Sequence, residues 1–455
     1  VETEHLKIYK KMEKHIMFVS FPLLGHTKQM IALAQELVSR GYKVSFVISE
    51  VAKEWVEGTG ADFIPWNPTL ATINESNNRH KDSIWHQVSR ERSNWRGEKM
   101  MLQRLISSYV PMYKTLEPIF RKYKPDIIVV DRAVIPAMDL AWQMNLPCII
   151  QSRFLGKFVK ASANIPRFGT SYSINMNLWE RFLNRLGPLL LILQFLPLSK
   201  KLARLRSECC GSQNLPDHFS KNLIIVGTAF GIEIPRPIPP LIKMVGPIFP
   251  KTIEPLSPSL KEWLEAGEEG TVVIYIGFGT LATLESWQAK ALVEGLTDSK
   301  FRVLWSIPKS QQHILPSLPP AFRIESFVPQ QAVLSHPAVR VFVSHCSPNG
   351  INEALYCGKP ILGLPFFGDQ YYFAARVLDL GVGLKLNKEN FPSTEVCQKV
   401  NSLLNNQSYI HAANRMSAIL KSTGGLELAA DIVENTIAVG ISNLDPERIY
   451  GNHNI

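Results

Sequence analysis

Several absences narrow what this 455-residue chain can be. Its most apolar stretch, Leu186–Leu198, runs for 13 residues and contains Pro188 and Pro197, against the roughly 20 apolar residues that cross a bilayer. No transmembrane span is expected, and a peripheral membrane contact is left open. The six cysteines, Cys148, Cys209, Cys210, Cys346, Cys357 and Cys397, show neither C-x-x-C metal spacing nor a small disulfide framework, so reduced thiols are expected. Val1–Lys14 is charged and lacks the apolar core of a signal peptide, which leaves Met12 as a candidate natural start and the cytoplasm as the expected location. The basic residues behind a net charge of +10 are scattered, and no aromatic-interleaved RNA or DNA module accompanies them. No nucleic-acid partner is expected.

Two further absences concern chemistry. No G-x-G-x-x-G fingerprint with its downstream acid opens a helix, which argues against a nicotinamide-dependent oxidoreductase. No Asp-x-Asp triplet lies where carboxylates could hold magnesium, so no metal site is expected.

What is present is enough for two cores, since single cores stop growing near about 250 to 300 residues. His15–Phe21 reads as a buried strand, Met30, Leu33, Ala34, Leu37 and Val38 have helical spacing closed by Gly41, and Tyr42–Ser49 is a second strand. That is the β-loop-α-β unit of a parallel sheet covered by helices. Strands at Asp126–Asp131, Pro147–Gln151 and Asn222–Gly227 continue it. A passage with eight prolines between Pro235 and Pro258 then reads as a linker, because proline disfavours helix and removes donors. Beyond it the alternation restarts, with strands at Val272–Phe278, Arg302–Ser306, Val339–Ser344 and Pro360–Leu364. The expected division is 12–240, a linker 241–258, a second domain 259–430, and a helix and tail 431–455 packing back on the first domain. Ligands in such sheets lie at the carboxyl ends of the strands, so two facing domains define a cleft.

The densest motif begins at Phe327 as F-V-P-Q-Q-A-V-L-S-H, continues through V-F-V-S-H-C-S-P-N-G-I-N-E-A-L, and closes with P-F-F-G-D-Q at Gln370, 44 residues in all. Its physics is that of an anion site. A strand ending at Ser344 delivers His345, and the helix near Asn349 presents its positive end to a diphosphate. His345, Thr280, Asn349 and Gly350 are placed to hold phosphates. Glu353, one turn on, can accept from both hydroxyls of a ribose, and Phe327 offers a flat face to a base.

This block resembles the donor-binding signature of the family-one UDP-glycosyltransferases. The likeness extends to F-P-L-L-G-H at Phe21–His26, P-D-I-I-V-V-D at Pro125–Asp131, V-G-P-I at Val245–Ile248 and the run Trp263–Thr280; residues 155–240 offer no match. The resemblance implies an α/β GT-B fold, two Rossmann-like doubly wound domains, with 12–240 binding the acceptor and 259–430 the nucleotide sugar. It implies a donor site at Gly279, Thr280, Phe327, Val328, Gln330, His345, Asn349, Gly350, Glu353, Asp369 and Gln370. It also implies a UDP-sugar co-substrate, with no separate cofactor, and inversion at the anomeric carbon without a covalent intermediate. Where plant enzymes resemble H-C-G-W-N-S, this chain has Ser347 and Pro348 for glycine and tryptophan, and Phe327 replaces a tryptophan.

Transfer to a hydroxyl needs a base, and histidine suits that work near neutrality. His26 follows the first strand and Asp131 ends another strand of the same sheet, so the carboxylate can orient the imidazole and stabilise its cation. In the enzymes it resembles, the matching positions are the catalytic base and its partner. The expected activity is transfer of a sugar, glucose first, from a UDP-sugar to a hydroxyl of a small lipophilic acceptor. The alternative is a non-catalytic nucleotide-sugar or small-ligand binding protein that retains the fold. The apolar patch at Leu189, Leu190, Leu191, Leu193, Phe195 and Leu196 is expected in the core or in a pocket wall, since the prolines break an interfacial pattern.

Overall fold

In the computed structural model, residues 14–67, 84–159, 162–267, 272–297, 301–441 and Leu444 are described. Their β-branched runs form two parallel sheets. The first contains β1 (His15–Val19), β2 (Lys43–Ile48), β3 (Asp62–Pro65), β4 (Ile127–Asp131), β5 (Cys148–Ser152), β6 (Leu223–Val226) and β7 (Ile242–Met244), in the order β3-β2-β1-β4-β5-β6-β7. The second contains β8 (Val272–Gly277), β9 (Phe301–Ser306), β10 (Phe322–Glu325), β11 (Val339–Ser344), β12 (Ile361–Gly363) and β13 (Gly383–Lys385), in the order β10-β9-β8-β11-β12-β13. Both are doubly wound, and in each the strand order reverses beside the first strand. The β1/β4 and β8/β11 gaps are therefore the switch points where such sheets bind ligands.

Burial on both faces explains why the strands read as unbroken apolar runs rather than alternating ones. Met17 and Val19 face one apolar cluster and Ile16 and Phe18 the other, while Val273 and Tyr275 are divided in the same way from Ile274 and Ile276. The helix Leu24–Ser39 closes with Gly41 left-handed at φ 91°, its N–H donating to Val38 O at 2.9 Å.

The two sheets share contacts that the chain order hides. Phe154, Ala229, Ile232 and Ile234 of the first half pack into a core cluster of the second. Tyr372 Oη donates to the buried Glu233 at 3.2 Å, and Arg376 donates to the carbonyls of Ile232 and Gly231. The helix Gly425–Val439 crosses back, burying Leu426, Ala429, Ala430 and Val433 beside Ile16 and Leu33. Burying Leu426 and Val433 alone contributes on the order of 3–6 kcal/mol. Arg40 then bridges Asp431 and Glu434, each at 2.6 Å.

Two expectations need correcting. Ile242–Met244, assigned to the linker, is the seventh strand of the first sheet, parallel to β6. It is a three-residue edge strand, and edge positions tolerate the prolines around it because one side of the ladder is unused. The second correction concerns the apolar patch, which lies in one helix, Leu178–Cys210, of 33 residues. Both prolines are exposed, where water can replace the ladder bond that proline removes. A capping box between Asn177 and Glu180 starts this helix and left-handed Gly211 ends it. Leu189, Leu190, Leu193 and Leu196 are exposed rather than in a core or pocket wall. By length and composition this one helix, among the described residues, could cross a membrane.

Candidate active site

At the first switch point, His26 sits in the opening turn of the helix Leu24–Ser39, and Asp131 is the last residue of β4. His26 Nδ1 and Asp131 Oδ2 are 2.7 Å apart, with the histidine side chain 17% exposed and the aspartate buried. Asp131 Oδ1 accepts the Ala133 N–H at 2.9 Å. On the other side of the ring, Arg153 Nη2 lies 3.1 Å from His26 Nε2, and Arg153 Nη1 donates to Gly25 O at 3.2 Å. A guanidinium only donates, so Nε2 must accept, and the ring proton is on Nδ1, donated to Asp131. The two partners thus fix one tautomer.

The electrostatics agree. Burial and then the Arg153 cation push His26 below its ordinary value, and Asp131 only partly opposes them. Near neutrality the imidazole is uncharged, and its Nε2 lone pair accepts from Arg153. Burial pushes Asp131 upward, but His26, its hydrogen bond and the Ala133 N–H outweigh that and hold it ionised below the usual range. Burial and Arg153 lower Arg132, the next residue, to about 10, against the opposing carboxylates of Asp369 and Asp131.

At the second switch point, Gly279 follows β8 at φ 66°, and a Cβ there would lie 3.0 Å from the His345 ring. Only glycine allows both the left-handed turn and this approach. Burial lowers His345 to about 4, so the ring is neutral, and its Nδ1 is buried without a hydrogen-bond partner in the chain. With its one proton on Nδ1, the neutral ring would donate there to an anionic oxygen, so the residues fit a diphosphate here.

The helix Pro348–Tyr356 offers less than the sequence promised. Ser347 is its N-cap and accepts the Gly350 N–H at 3.2 Å, while Pro348 has no N–H at all. Gly350 is therefore not a free phosphate donor, and Asn349 is the residue of the first turn left to supply one. The Ser-Pro departure from the plant pattern is a standard way to start a helix, gained at the cost of anion donors. The Val328 side chain is in the core cluster with Val333 and Leu334, so only its backbone is left to meet a ligand. Phe327 beside it is 59% exposed.

Glu353 is buried one turn into the helix and is already engaged. Lys28 Nζ reaches it from the first domain at 2.5 Å, and Gln330 Nε2 donates to its other oxygen. Tyr275 Oη in turn donates to Gln330 Oε1 at 3.1 Å. Gln370 uses its Oε1 to accept from the N–H groups of Phe366 and Phe367, at 2.8 and 3.2 Å, which leaves its amide nitrogen for a ligand. Asn94 clamps the adjoining loop, accepting from Gly368 N at 2.6 Å. Asp369 is half-buried and close enough to act on Arg132. Thr280 is exposed in the turn three residues past β8.

The two half-sites meet. Asn349 Nδ2 donates to Gly25 O at 2.9 Å, and Gln29 Nε2 donates to Asn349 Oδ1 at 3.2 Å. The residue preceding His26 is thereby joined to the anion site. Sequence reasoning missed Lys28, Gln29, Asn94, Arg132 and Arg153. Lys28 and Gln29 lie two and three residues past His26 on its helix, and Arg132 and Arg153 adjoin strand ends, so position gave a signal that composition did not.

Two Rossmann-like domains that oppose a histidine–aspartate pair to a histidine-containing anion site have the GT-B architecture of a glycosyltransferase that uses a nucleotide sugar. The chain belongs to the family described as UDP-glucoronosyl and UDP-glucosyl transferase, whose model matches residues 124–430. It is a UDP-glycosyltransferase. Among its relatives, "UDP-glycosyltransferase 1" of Phaeomoniella chlamydospora is 31% identical over 75% of this chain and 74% of that protein. "UDP-glucuronosyltransferase 2B14" of Oryctolagus cuniculus is 27% identical over 85% of this chain and 77% of its own length. Two solved structures share the fold. The glycosyltransferase of kitacinnamycin has a TM-score of 0.68 at 21% identity, covering 93% of this chain and 98% of its own. The glycosyltransferase VinC, solved with dTDP, has a TM-score of 0.63 at 14% identity, covering 93% and 99%.

Proposed function

We propose that the enzyme transfers glucose from UDP-glucose to a hydroxyl of a small lipophilic acceptor with inversion, His26 acting as the general base. The observation that supports this most directly is the His26–Asp131 pair at 2.7 Å, whose neighbour Gly25 is bonded to Asn349 of the anion site. In this reading the acceptor hydroxyl replaces Arg153 at Nε2 and gives up its proton there. Its oxygen attacks the anomeric carbon from the side opposite the leaving group, and the bond to the UDP oxygen breaks. Asp131 stabilises the imidazolium that forms. Among the donor residues, His345, Asn349 and Thr280 face the diphosphate, Phe327 stacks on the base, and Glu353 exchanges Lys28 for the ribose hydroxyls. Asp369 and the Gln370 amide bind the sugar's hydroxyls.

The diphosphate's charge is met by neutral donors and by the helix end, so the reaction proceeds without a divalent cation. A screen of hydroxylated acceptors against a panel of UDP-sugars, read by mass spectrometry, tests the assignment. Glucosides of apolar alcohols or phenols are the expected products. A panel in which glucose is never transferred sinks the donor assignment, and transfer confined to hydrophilic acceptors sinks the acceptor class.

A further inference from the structure

The helix Leu178–Cys210 has a face that none of the described residues covers. Trp179, Phe182, Leu189, Ile192, Leu193 and Leu196 are all exposed, Trp179 by 65%, Ile192 by 61% and Leu193 by 62%. At 100° per residue these six fall in one stripe about 140° wide. Trp179 and Phe182 stack on each other at its start, with ring centroids 5.5 Å apart. Lys200 and Arg204 continue the same stripe in the next turns, with Lys201 beside them and Arg181 and Arg185 along its edge; all five are exposed. The helix carries six basic and two acidic residues, and the one acid paired with this group, Glu208 on Arg204 at 2.7 Å, is an exposed contact of little strength.

The opposite face is fixed to the first domain at both ends. Asn184 donates to the carbonyls of Ala163 and Ile165 and accepts from the Arg167 N–H at 2.9 Å. Arg206 is paired at 2.7 Å with the buried Asp139, which also bonds His218 and Tyr109. Held in this way, the helix cannot stand upright through a bilayer without breaking a buried charge network. It can lie flat.

We propose that this helix docks in the plane of an anionic lipid bilayer, its apolar stripe in the acyl boundary and Lys200, Lys201 and Arg204 among the headgroups. Charge complementarity favours this occupant, because apolar and basic groups share one face as a bilayer surface requires. A second copy, also of net charge +10, offers no net charge complementary to the basic end. Leu202 of the same helix lines an apolar crevice with Leu105, Tyr109, Met112 and Ala133, two residues beyond Asp131. If the acceptor is lipophilic as proposed above, docking places the first domain beside the phase in which the acceptor dissolves. The docking itself does not depend on that reading.

Vesicle binding needs no turnover, so it separates this proposal from the assigned activity. The full chain is sedimented with phosphatidylcholine vesicles with and without phosphatidylserine, and Trp179 exposure to lipid is read by quenching with brominated acyl chains. Salt-sensitive binding to the anionic vesicles is expected. The exposed pair Ile192→Asp and Leu193→Asp should abolish it, and Lys200→Ala, Lys201→Ala and Arg204→Ala together should weaken it roughly a hundredfold, at about fivefold per basic residue. None of these side chains is buried, and unchanged UDP titrations confirm folding. Wild-type protein that stays unbound, or variants that bind as wild type does, overturns the proposal. So does resistance to alkaline carbonate, which marks a spanning helix, or a dimer dissolved by the aspartate pair with no vesicle binding.

Discussion

Asp131→Asn removes one charge from the His26–Asp131 pair while keeping its shape, and the structure says which way the new amide turns. Asp131 Oδ1 accepts the Ala133 N–H at 2.9 Å and Oδ2 faces His26 Nδ1 at 2.7 Å. In asparagine only one of these atoms is an acceptor. Satisfying the Ala133 N–H puts the amide nitrogen against Nδ1, which drives the imidazole proton onto Nε2, the atom that must be free to take the acceptor's proton. The opposite flip sets an N–H against an N–H, at a cost of about 1–3 kcal/mol for a buried unpaired donor. Either way the imidazolium formed on attack loses its counter-charge. General-base catalysis supplies roughly a hundredfold to ten-thousandfold, so kcat for an aliphatic alcohol should fall by that order. His26→Ala should fall comparably and the double mutant little further, because the two act as one unit. An acidic phenol, which needs less help losing its proton, should be affected less. The assay is steady-state turnover with both acceptors, alongside UDP calorimetry to show that the donor site survives. Near-normal turnover of the alcohol by either single mutant would falsify the role given to the pair.

Three other outcomes are expected. Replacing Glu353 with alanine should weaken UDP binding on the order of tenfold to a hundredfold, since hydrogen bonds to a charged group contribute about 1.5–3 kcal/mol, whereas Lys28→Ala should strengthen it by removing a competitor for that carboxylate; an unchanged calorimetric titration in both contradicts the ribose assignment. Because burial and Arg153 hold His26 below its ordinary value of 6.5, activity should be lost only as pH falls through that lowered value, and Arg153→Leu should move the acid limb of the kcat/KM profile upward; a limb that stays put means Arg153 does not act on the base. Chelator should leave turnover intact, and loss of activity restored by magnesium would refute the metal-free reading.

The strands at both switch points were legible because each is a short β-branched run bounded by turn residues, and His26, Asp131, His345 and Glu353 stand at fixed offsets from them. β7 was not, since three residues among prolines leave no periodicity to detect. The Ser347 cap on Gly350 was not legible because an N-cap and a phosphate compete for the same N–H, and sequence alone does not say which has it. The helix Leu178–Cys210 was misjudged for a related reason: proline's cost inside a helix depends on whether water reaches the freed carbonyl.

By itself, then, the sequence determined two doubly wound domains and the offsets of His26, Asp131, His345 and Glu353 from their strands, because strand burial and helix capping are local and leave a periodic trace. Only the tertiary structure decided what those residues touch. Arg153 closes on His26 across 127 positions, Lys28 on Glu353 across 325, and Asn349 on Gly25 across 324. It alone decided, too, that one apolar face of the helix Leu178–Cys210 is left uncovered by the described residues. Contacts between residues so far apart follow from how one domain settles on another, a balance of burial and pairing over many side chains that no single stretch of chain records.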